Sequence, residues 1–437
     1  MNKFYGGLLA AFLGVTSLQA QTLQANKTQL AFGNATEIAP ATQQITISNP
    51  LNYPVNVTNI RFFTIYGQPA FSVNQTFPFT IPASGSQTVT VTFSPLHNIA
   101  HNSEMVIETD SKGGNLSVDL TGQGKYSRSY YNNSENLSEE QLKVALKTIT
   151  SANYNTLSYN AARDEMFMEV DNWKINGRGA TVNTLECIYT GRLITGYTSR
   201  SQAQNMPMNF NTEHTFPQGY FNSASPMVSD MHHLFPTDNP ANGSRSNYAF
   251  GVATTPYRND HINNPSHLGA NNLYEPRDAQ KGGTARAMLY FVIRYQDYQN
   301  FFASQEAILK TWNRDFVPTA VEVKRNDDIH DASRQRNRNP FVDYPQLADR
   351  ITNFVSTSAA AASYNLYQQP FINYGQVPAG TPFTYNYVLV NNGNQTMNFS
   401  NPALSDPAIL SFAAGSGTNF SIAPGEAHTL KITLNLA

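Results

Sequence analysis

Apolar side chains recur at two different spacings in this chain, and the spacing changes twice along its length. Within residues 22–125, "QQITISN" (43–49) and "QTVTVTF" (87–93) carry an apolar residue at every second position, the repeat of a strand buried on one face. "NLSVDLTGQG" (115–124) continues the theme and closes on glycines. Asn-Pro and Ser-Gly turns separate these runs, which predicts an antiparallel β-sandwich. From residue 138 the period lengthens. "SEEQLKVALKTI" begins with a Ser138/Gln141 capping box and sets Leu142, Ala145, Leu146 and Ile149 on one helical face. "TARAMLYFVIRYQDY" (284–298) does the same with Ala285, Met288, Leu289, Val292 and Tyr295. After "STSAAAAS" (356–363), which reads as a linker, alternation returns.

The second alternating region echoes the first. "FTIPASGSQTVTVTF" (79–93) and "FSIAPGEAHTLKITL" (420–434) align without a gap. Phe79/Phe420, Ile81/Ile422, Thr88/Thr429 and Thr92/Thr433 are identical. Upstream, "LAFGNATEIAPATQQITISN" and "INYGQVPAGTPFTYNYVLVNN" share their Gly, Pro and closing Asn. These stretches, with "VTFSP" and "LTGQG", resemble the immunoglobulin-like surface modules of the ASPM/SPD-2/hydin type. The expected organisation is a signal peptide at 1–20, a sandwich at 22–125, a mixed α+β domain at 126–355, a linker at 356–362 and a second sandwich at 363–437.

Composition adds where the ionic chemistry lies. Only 13% of residues are charged, against about a quarter in an ordinary soluble protein. Residues 126–350 hold 22 of the 28 Lys+Arg and 23 of the 30 Asp+Glu. That balance excludes a broad basic face, so a phosphate site would be local. One cysteine, Cys187 in "LECIYTG", excludes an internal disulfide and Cys-rich zinc motifs, and its apolar setting suits a buried inert thiol. "MNKFYGGLLAAFLGVTSLQAQ" has the basic, apolar and small-residue order of a secretory signal, with cleavage expected after Ala20. No later segment reaches the ~18 apolar residues of a membrane span. A secreted, extracellular or surface-associated monomer is expected.

Six histidines fall between 214 and 330, three of them in "NTEHTFPQGYFNSASPMVSDMHHLFPTDNPANGSRSNYAFG" (211–251). "TEHTF" and "DMHHLFP" read as short strands, each stopped by a proline, and "TDNPANGSRSNYAF" as the start of a helix. Three chemistries compete for this strand–loop–strand–helix. A zinc site lacks His-Glu-x-x-His spacing. A serine hydrolase lacks a Gly-x-Ser-x-Gly elbow. A hard-cation phosphodiesterase would use Glu213 and Asn242 as oxygen ligands of Mg²⁺ and His214 to activate water. One objection stands: in a regular strand Glu213 and His214 point to opposite faces, so the strand should be irregular here or the cation should lie off its edge.

The blocks "YTG" (189–191), "EHTFPQ" (213–218), "SDMHHLFPTD" (229–238), "NGSRSNYAFG" (242–251), "GGTARAMLYFVIRY" (282–295), "TWNRDFVP" (311–318) and "NRNPFVDYP" (337–345) occur in order. Together they resemble the bacterial endonuclease I family of ββα-metal (His-metal finger) nucleases over all of 126–350. The resemblance implies His214 as general base and Glu213 and Asn242 as ligands of one divalent cation: Mg²⁺, or Mn²⁺ or Ca²⁺. It also implies an arginine on the scissile phosphate. Residues 215–231 contain no Arg or Lys, which leaves Arg245, Arg286 and Arg338 as candidates. Asp230 and His232 are supporting candidates, and His232 and His233 have a plain reading as buried, hydrogen-bonded side chains. The implied activity is hydrolysis of DNA, RNA or both with little sequence preference, leaving 5′-phosphates, while the sandwiches contact a cell surface or polysaccharide. The rivals are an adhesion protein keeping a degenerate nuclease domain, and an RNA-restricted extracellular ribonuclease.

Overall fold

The computed structural model describes residues 22–64, 66–258, 265–295 and 299–436, so the expected signal peptide lies outside the described residues. Residues 22–125 form two sheets. One holds Gln24–Ala25, Ala41–Ser48, Ser86–Phe93 and Phe71–Val73; the other holds Gln29–Thr36, Leu116–Lys125, Ala100–Thr109, Val55–Arg61 and Phe79–Ile81. Alternate residues of both, among them Ile45, Ile47, Val89, Val91, Val55, Met105, Ile107 and Leu120, meet in one core. The expected antiparallel arrangement has one exception: Gln29–Thr36 runs parallel to Leu116–Lys125.

The middle segment is built around helix Asp278–Tyr295. Every residue from Thr284 to Arg294 is buried, which corrects the expected one-sided amphipathic helix: the domain encloses it on every face, the polar Thr284, Arg286 and Arg294 included. Helix Glu139–Ser151 buries Leu142, Leu146 and Ile149 as expected, but Ser138 makes no capping hydrogen bond. Instead the carboxylates of Glu139 and Glu140 accept from the backbone N–H of Thr352 and Ser358 (2.8 and 2.9 Å). The helix start therefore ties down the beginning of the expected linker.

Residues 366–434 repeat part of the first region. A four-stranded sheet orders Leu366–Gln368, Phe383–Asn391, Ala427–Leu434 and Leu410–Phe412, and Met397–Phe399 pairs with Phe420–Ile422. The internal repeat extends to side-chain contacts. Asn49 Nδ2 donates to the carbonyls of Tyr53 (2.8 Å) and Ile81 (3.0 Å), and Asn391 Nδ2 donates to those of Gln395 and Ile422 (both 2.8 Å).

Both flanks make firm contacts. Arg350 donates to Asn98 Oδ1 (2.6 Å) and to the carbonyl of Ser134 (2.8 Å), and Tyr126 stacks on Tyr344 at 3.7 Å. The Asn98 bond joins the first sandwich to the middle domain, and the Tyr344 hydroxyl adds a second link by donating to Glu37 Oε1 (3.0 Å). The C-terminal region reaches back to the first sandwich: Val106, on the outer side of its strand, is buried with Val388 and Val390, and the Asn386 N–H donates to Gly113 (2.9 Å).

Candidate active site

Strands Phe210–His214 and Leu234–Asp238 pair antiparallel, in register from Phe210/Asp238 to His214/Leu234. Helix Asn239–Arg245 follows at once, with Pro240 in its first turn. The expected strand–loop–strand–helix order is present. The second strand starts later than expected, because Met231–His233 form a single 3₁₀ turn. The cause is Asp230, whose Oδ1 accepts the His232 N–H (3.1 Å) and holds the backbone out of the ladder.

The pairing runs through Glu213 and His214 without a register shift, so neither residue sits in a bulge. Their surroundings differ accordingly. Glu213 Oε1 accepts the Tyr189 hydroxyl (2.6 Å) and faces Arg245 Nε (3.3 Å). Burial pushes its pKa up, while Arg245 and Tyr189 pull it back. His214 looks to the other side, toward Tyr159, His233 and Phe221 at 5.6, 5.5 and 6.3 Å between rings. Its Nε2 lies 3.2 Å from the Val228 carbonyl. A carbonyl only accepts, so Nε2 carries the hydrogen and Nδ1 the lone pair. Burial, then His233, push the ring down to about 3, which keeps it neutral. The expected irregularity is absent: the two side chains leave opposite faces of a regular pair, and His214 is the last residue of its strand.

Among the candidate arginines, Arg245 is buried, donates to the carbonyls of Thr215 (2.5 Å), Ser246 (2.9 Å) and His214 (3.4 Å), and lies over the Phe250 ring. It binds strand, helix end and Glu213 together. Arg286 grips Glu322 with two hydrogen bonds (2.5 and 2.6 Å), and Arg338 grips Asp343 (2.6 and 2.7 Å). Both are buried. Asp230 accepts from Tyr290, Tyr295 and Gln335 (2.8, 2.7 and 2.8 Å). Burial alone would raise its pKa, but Arg294 and the two neighbouring histidines bring it below the usual carboxylate range. His232 Nε2 lies 3.1 Å from the Asn337 carbonyl, and burial pushes the ring down to about 4. This network lies beneath the hairpin and supports it.

Two contributors were missed by sequence reasoning. Arg163, on helix Tyr159–Glu165, is half-buried; its Nε donates to Thr212 Oγ1 (3.2 Å) and its guanidinium lies over Tyr159. Thr212 and His214 share a face of their strand. Arg163 has no ion-pair partner within 4.0 Å among the described residues, unlike Arg245, Arg286 and Arg338. His233, through Nε2, meets the Met227 carbonyl (2.7 Å), beside the carbonyl that holds His214. Only the charge of Arg163 could have flagged it, and its partner lies 49 residues away in sequence.

The donors suit a hard divalent cation. Among the described residues nothing bonds to Glu213 Oε2 or to the Asn242 side chain, and Asn242 lies one turn before Arg245 on the same helical face. One carboxylate oxygen and one amide oxygen form the small set that Mg²⁺ accepts while keeping its waters. No described group of three or more His, Cys, Asp and Glu is gathered for a softer metal. Cys187 is buried, with its thiol pushed up by burial.

Residues 138–346 match the Endonuclease I family. An extracellular ribonuclease of Bacillus subtilis (strain 168) is 28% identical over 243 residues, 51% of this chain and 77% of that protein. A periplasmic deoxyribonuclease of Aeromonas hydrophila is 29% identical over 126 residues, 27% of this chain and 48% of that protein. Among solved structures, the ASH / PapD-like domain of human CEP192 matches 29% of this chain and 100% of its own at 13% identity, with a TM-score of 0.22. That score is too low to carry a fold argument. The seven ordered blocks and the hairpin followed by its helix all lie within the segment that matches the Endonuclease I family.

Proposed function

We propose that this chain is a secreted, divalent-cation-dependent endonuclease that cuts DNA, RNA or both with little sequence preference and leaves 5′-phosphates. The observation that carries the reading is the fixed tautomer of His214. Because Val228 holds Nε2–H, the Nδ1 lone pair is available to take a proton from an attacking water. Burial keeps the ring neutral, and an anionic phosphate beside it raises its basicity. Glu213 Oε2 and the Asn242 amide oxygen would hold Mg²⁺, or Mn²⁺ or Ca²⁺. When bound, the cation polarises the phosphate and stabilises the leaving oxygen. Arg245 opposes the rise that burial gives the Glu213 pKa and holds the carboxylate in place. Arg163 replaces Arg245, Arg286 and Arg338 as the arginine assigned to the scissile phosphate, since its donors are not consumed by a carboxylate.

Relatives named for RNA and for DNA favour a site that grips backbone rather than base edges. Their extracellular and periplasmic names agree with the signal-like start of this chain. The flanks are read as two immunoglobulin-like modules around a nuclease domain at 126–355, supported by the matching Asn49 and Asn391 contacts. Plasmid DNA and a structured RNA incubated in one buffer, with Mg²⁺ or with EDTA, test the proposal. Both should be degraded only with the cation, and His214→Ala should lower the rate by about 10²–10⁴-fold. Cleavage that persists in EDTA would sink the cation dependence, and full activity in His214→Ala would sink the general base.

A further inference from the structure

The loop that follows strand Phe210–His214 reads "FPQGYFNSASPMVS" (216–229) and carries no charged residue. It borders the proposed cleavage site, yet a phosphate finds no cation on it. Its outward side chain is aromatic: Tyr220, in the 3₁₀ turn Gln218–Phe221, is 47% exposed. A lone exposed tyrosine is ordinary on a protein surface. This one differs in its support, its anchoring and its position.

Support comes from beneath. The Tyr220 ring rests on Phe301, with 4.5 Å between centroids and 31° between planes. Phe301 meets Phe216 at 5.2 Å, and Phe216 stacks on Phe291 at 4.2 Å and 13°. Phe216, Phe291 and Phe301 are all buried. A rigid aromatic base therefore carries the Tyr220 ring and leaves its other face to solvent.

The turn is fixed from within. The Tyr220 N–H donates to the Pro217 carbonyl and the Ser223 N–H to that of Gln218, both at 3.0 Å. Phe221 points inward, 3% exposed, with its ring 6.3 Å from His214 and 6.0 Å from His233. Asn222 and Ser223 then both adopt left-handed backbone, with φ of 50° and 51°, which is costly for residues bearing a Cβ. Gly219 lies against Asn247, where a Cβ would meet Nδ2 at 3.5 Å. Asn247 follows helix Asn239–Arg245, the helix of Asn242. Tyr220 thus stands between neighbours of His214 on one side and of Asn242 on the other.

An exposed ring on a rigid base, in a neutral loop beside a phosphodiester site, suits a nucleobase better than a phosphate. We propose that Tyr220 stacks on an unpaired base of the substrate strand, so that unpaired stretches of DNA or RNA are bound in preference to duplex. The inference rests on the nuclease reading of the site and adds which form of substrate that site selects. In a duplex each base is already stacked on its neighbours, and offering one to Tyr220 requires opening the helix. Stacking accepts any base, in keeping with little sequence preference.

Fluorescence-anisotropy titration of the full chain in EDTA tests it, with one oligodeoxynucleotide and with the duplex formed by adding its complement. Tyr220→Ala should lower the ratio of single-strand to duplex affinity about tenfold, the loss of one base–aromatic stack. Tyr220→Phe and Tyr220→Trp should keep that ratio. With a fluorescent purine analogue in the single strand, binding to the native chain should quench its emission, and Tyr220→Ala should abolish the quenching. An unchanged ratio in Tyr220→Ala, as expected if the ring serves a protein partner instead, would overturn the proposal. So would the absence of saturable single-strand binding by the native chain, or a Tyr220→Phe variant as impaired as Tyr220→Ala. Loss of cleavage in Mg²⁺ with the affinity ratio intact bears on the cleavage assignments alone.

Discussion

Two arginines near one hairpin show how burial divides labour. Arg245 and Glu213 have side chains 1% and 2% exposed, so removing the cation leaves a buried carboxylate uncompensated. Arg245→Ala should cost about 3–5 kcal/mol of stability, measurable by denaturant unfolding, and activity should fall with the folded fraction. Arg163 is half-buried and tied to its surroundings by a single hydrogen bond and a ring face. Arg163→Ala should leave the unfolding midpoint nearly unchanged and lower the cleavage rate roughly a hundredfold, the effect of deleting one anion-stabilising donor. If the stability losses are reversed between the two variants, the division is wrong. Glu213, His214 and Asn242 could be singled out in sequence only through the ordered blocks that resemble the endonuclease I family, and their placement on strand, strand end and following helix agrees with the expected element order. Arg163 was not, since only the packing of helix Tyr159–Glu165 against the hairpin brings it to Thr212.

Among the elements, the loop between the two strands is controlled from both ends by histidines. His214 holds the Val228 carbonyl and His233 holds that of Met227, both within or beside the turn Met227–Ser229. With His214 as the proposed general base, His233 is expected to act as a positioning residue through this turn. His233→Phe keeps the ring packing against Phe291 but loses the hydrogen bond. It should lower kcat by about tenfold with KM unchanged, and His233→Gln should recover part of the loss; a raised KM with unchanged kcat would point to simple packing. The existence and order of strand, strand and helix were readable from prolines and β-favouring runs. The start of the second strand was not, because the side chain of Asp230 closes a turn where the apolar pattern alone implies extension. The central helix was misjudged for a related reason: periodicity reports one buried face, and this helix is enclosed on all of them.

At the scale of the assembled chain, the contact between the first sandwich and the C-terminal region contains a buried acid. Glu104 lies across from Asp119 in adjacent strands, and its Oε2 has no hydrogen-bond partner. Burial, then Asp119, push its pKa up to about 9 from the ordinary 4.5, with Glu426 adding to the rise and the Ala427 backbone opposing it. Between those values the folded chain retains a proton that the unfolded chain has released, so stability falls as pH rises through this window. Thermal unfolding followed from about pH 4.5 to 9 should show that decline, and Glu104→Gln should flatten it and be the more stable form at the alkaline end. An identical slope in both proteins would remove Glu104 as the cause.

The burial of Val106 with Val388 and Val390 also has a bearing on how the chain is assembled. Its partners are separated by more than half the sequence, and the whole nuclease domain lies between them. Closing a loop of that length is slow compared with pairing neighbouring strands. The first sandwich and the middle domain have separate cores, each of which can form without the C-terminal strands. Docking of the C-terminal strands onto the outer side of Ala100–Thr109 is then the final step. The middle domain is then a large insertion held between two ends that have joined at a patch of three valines.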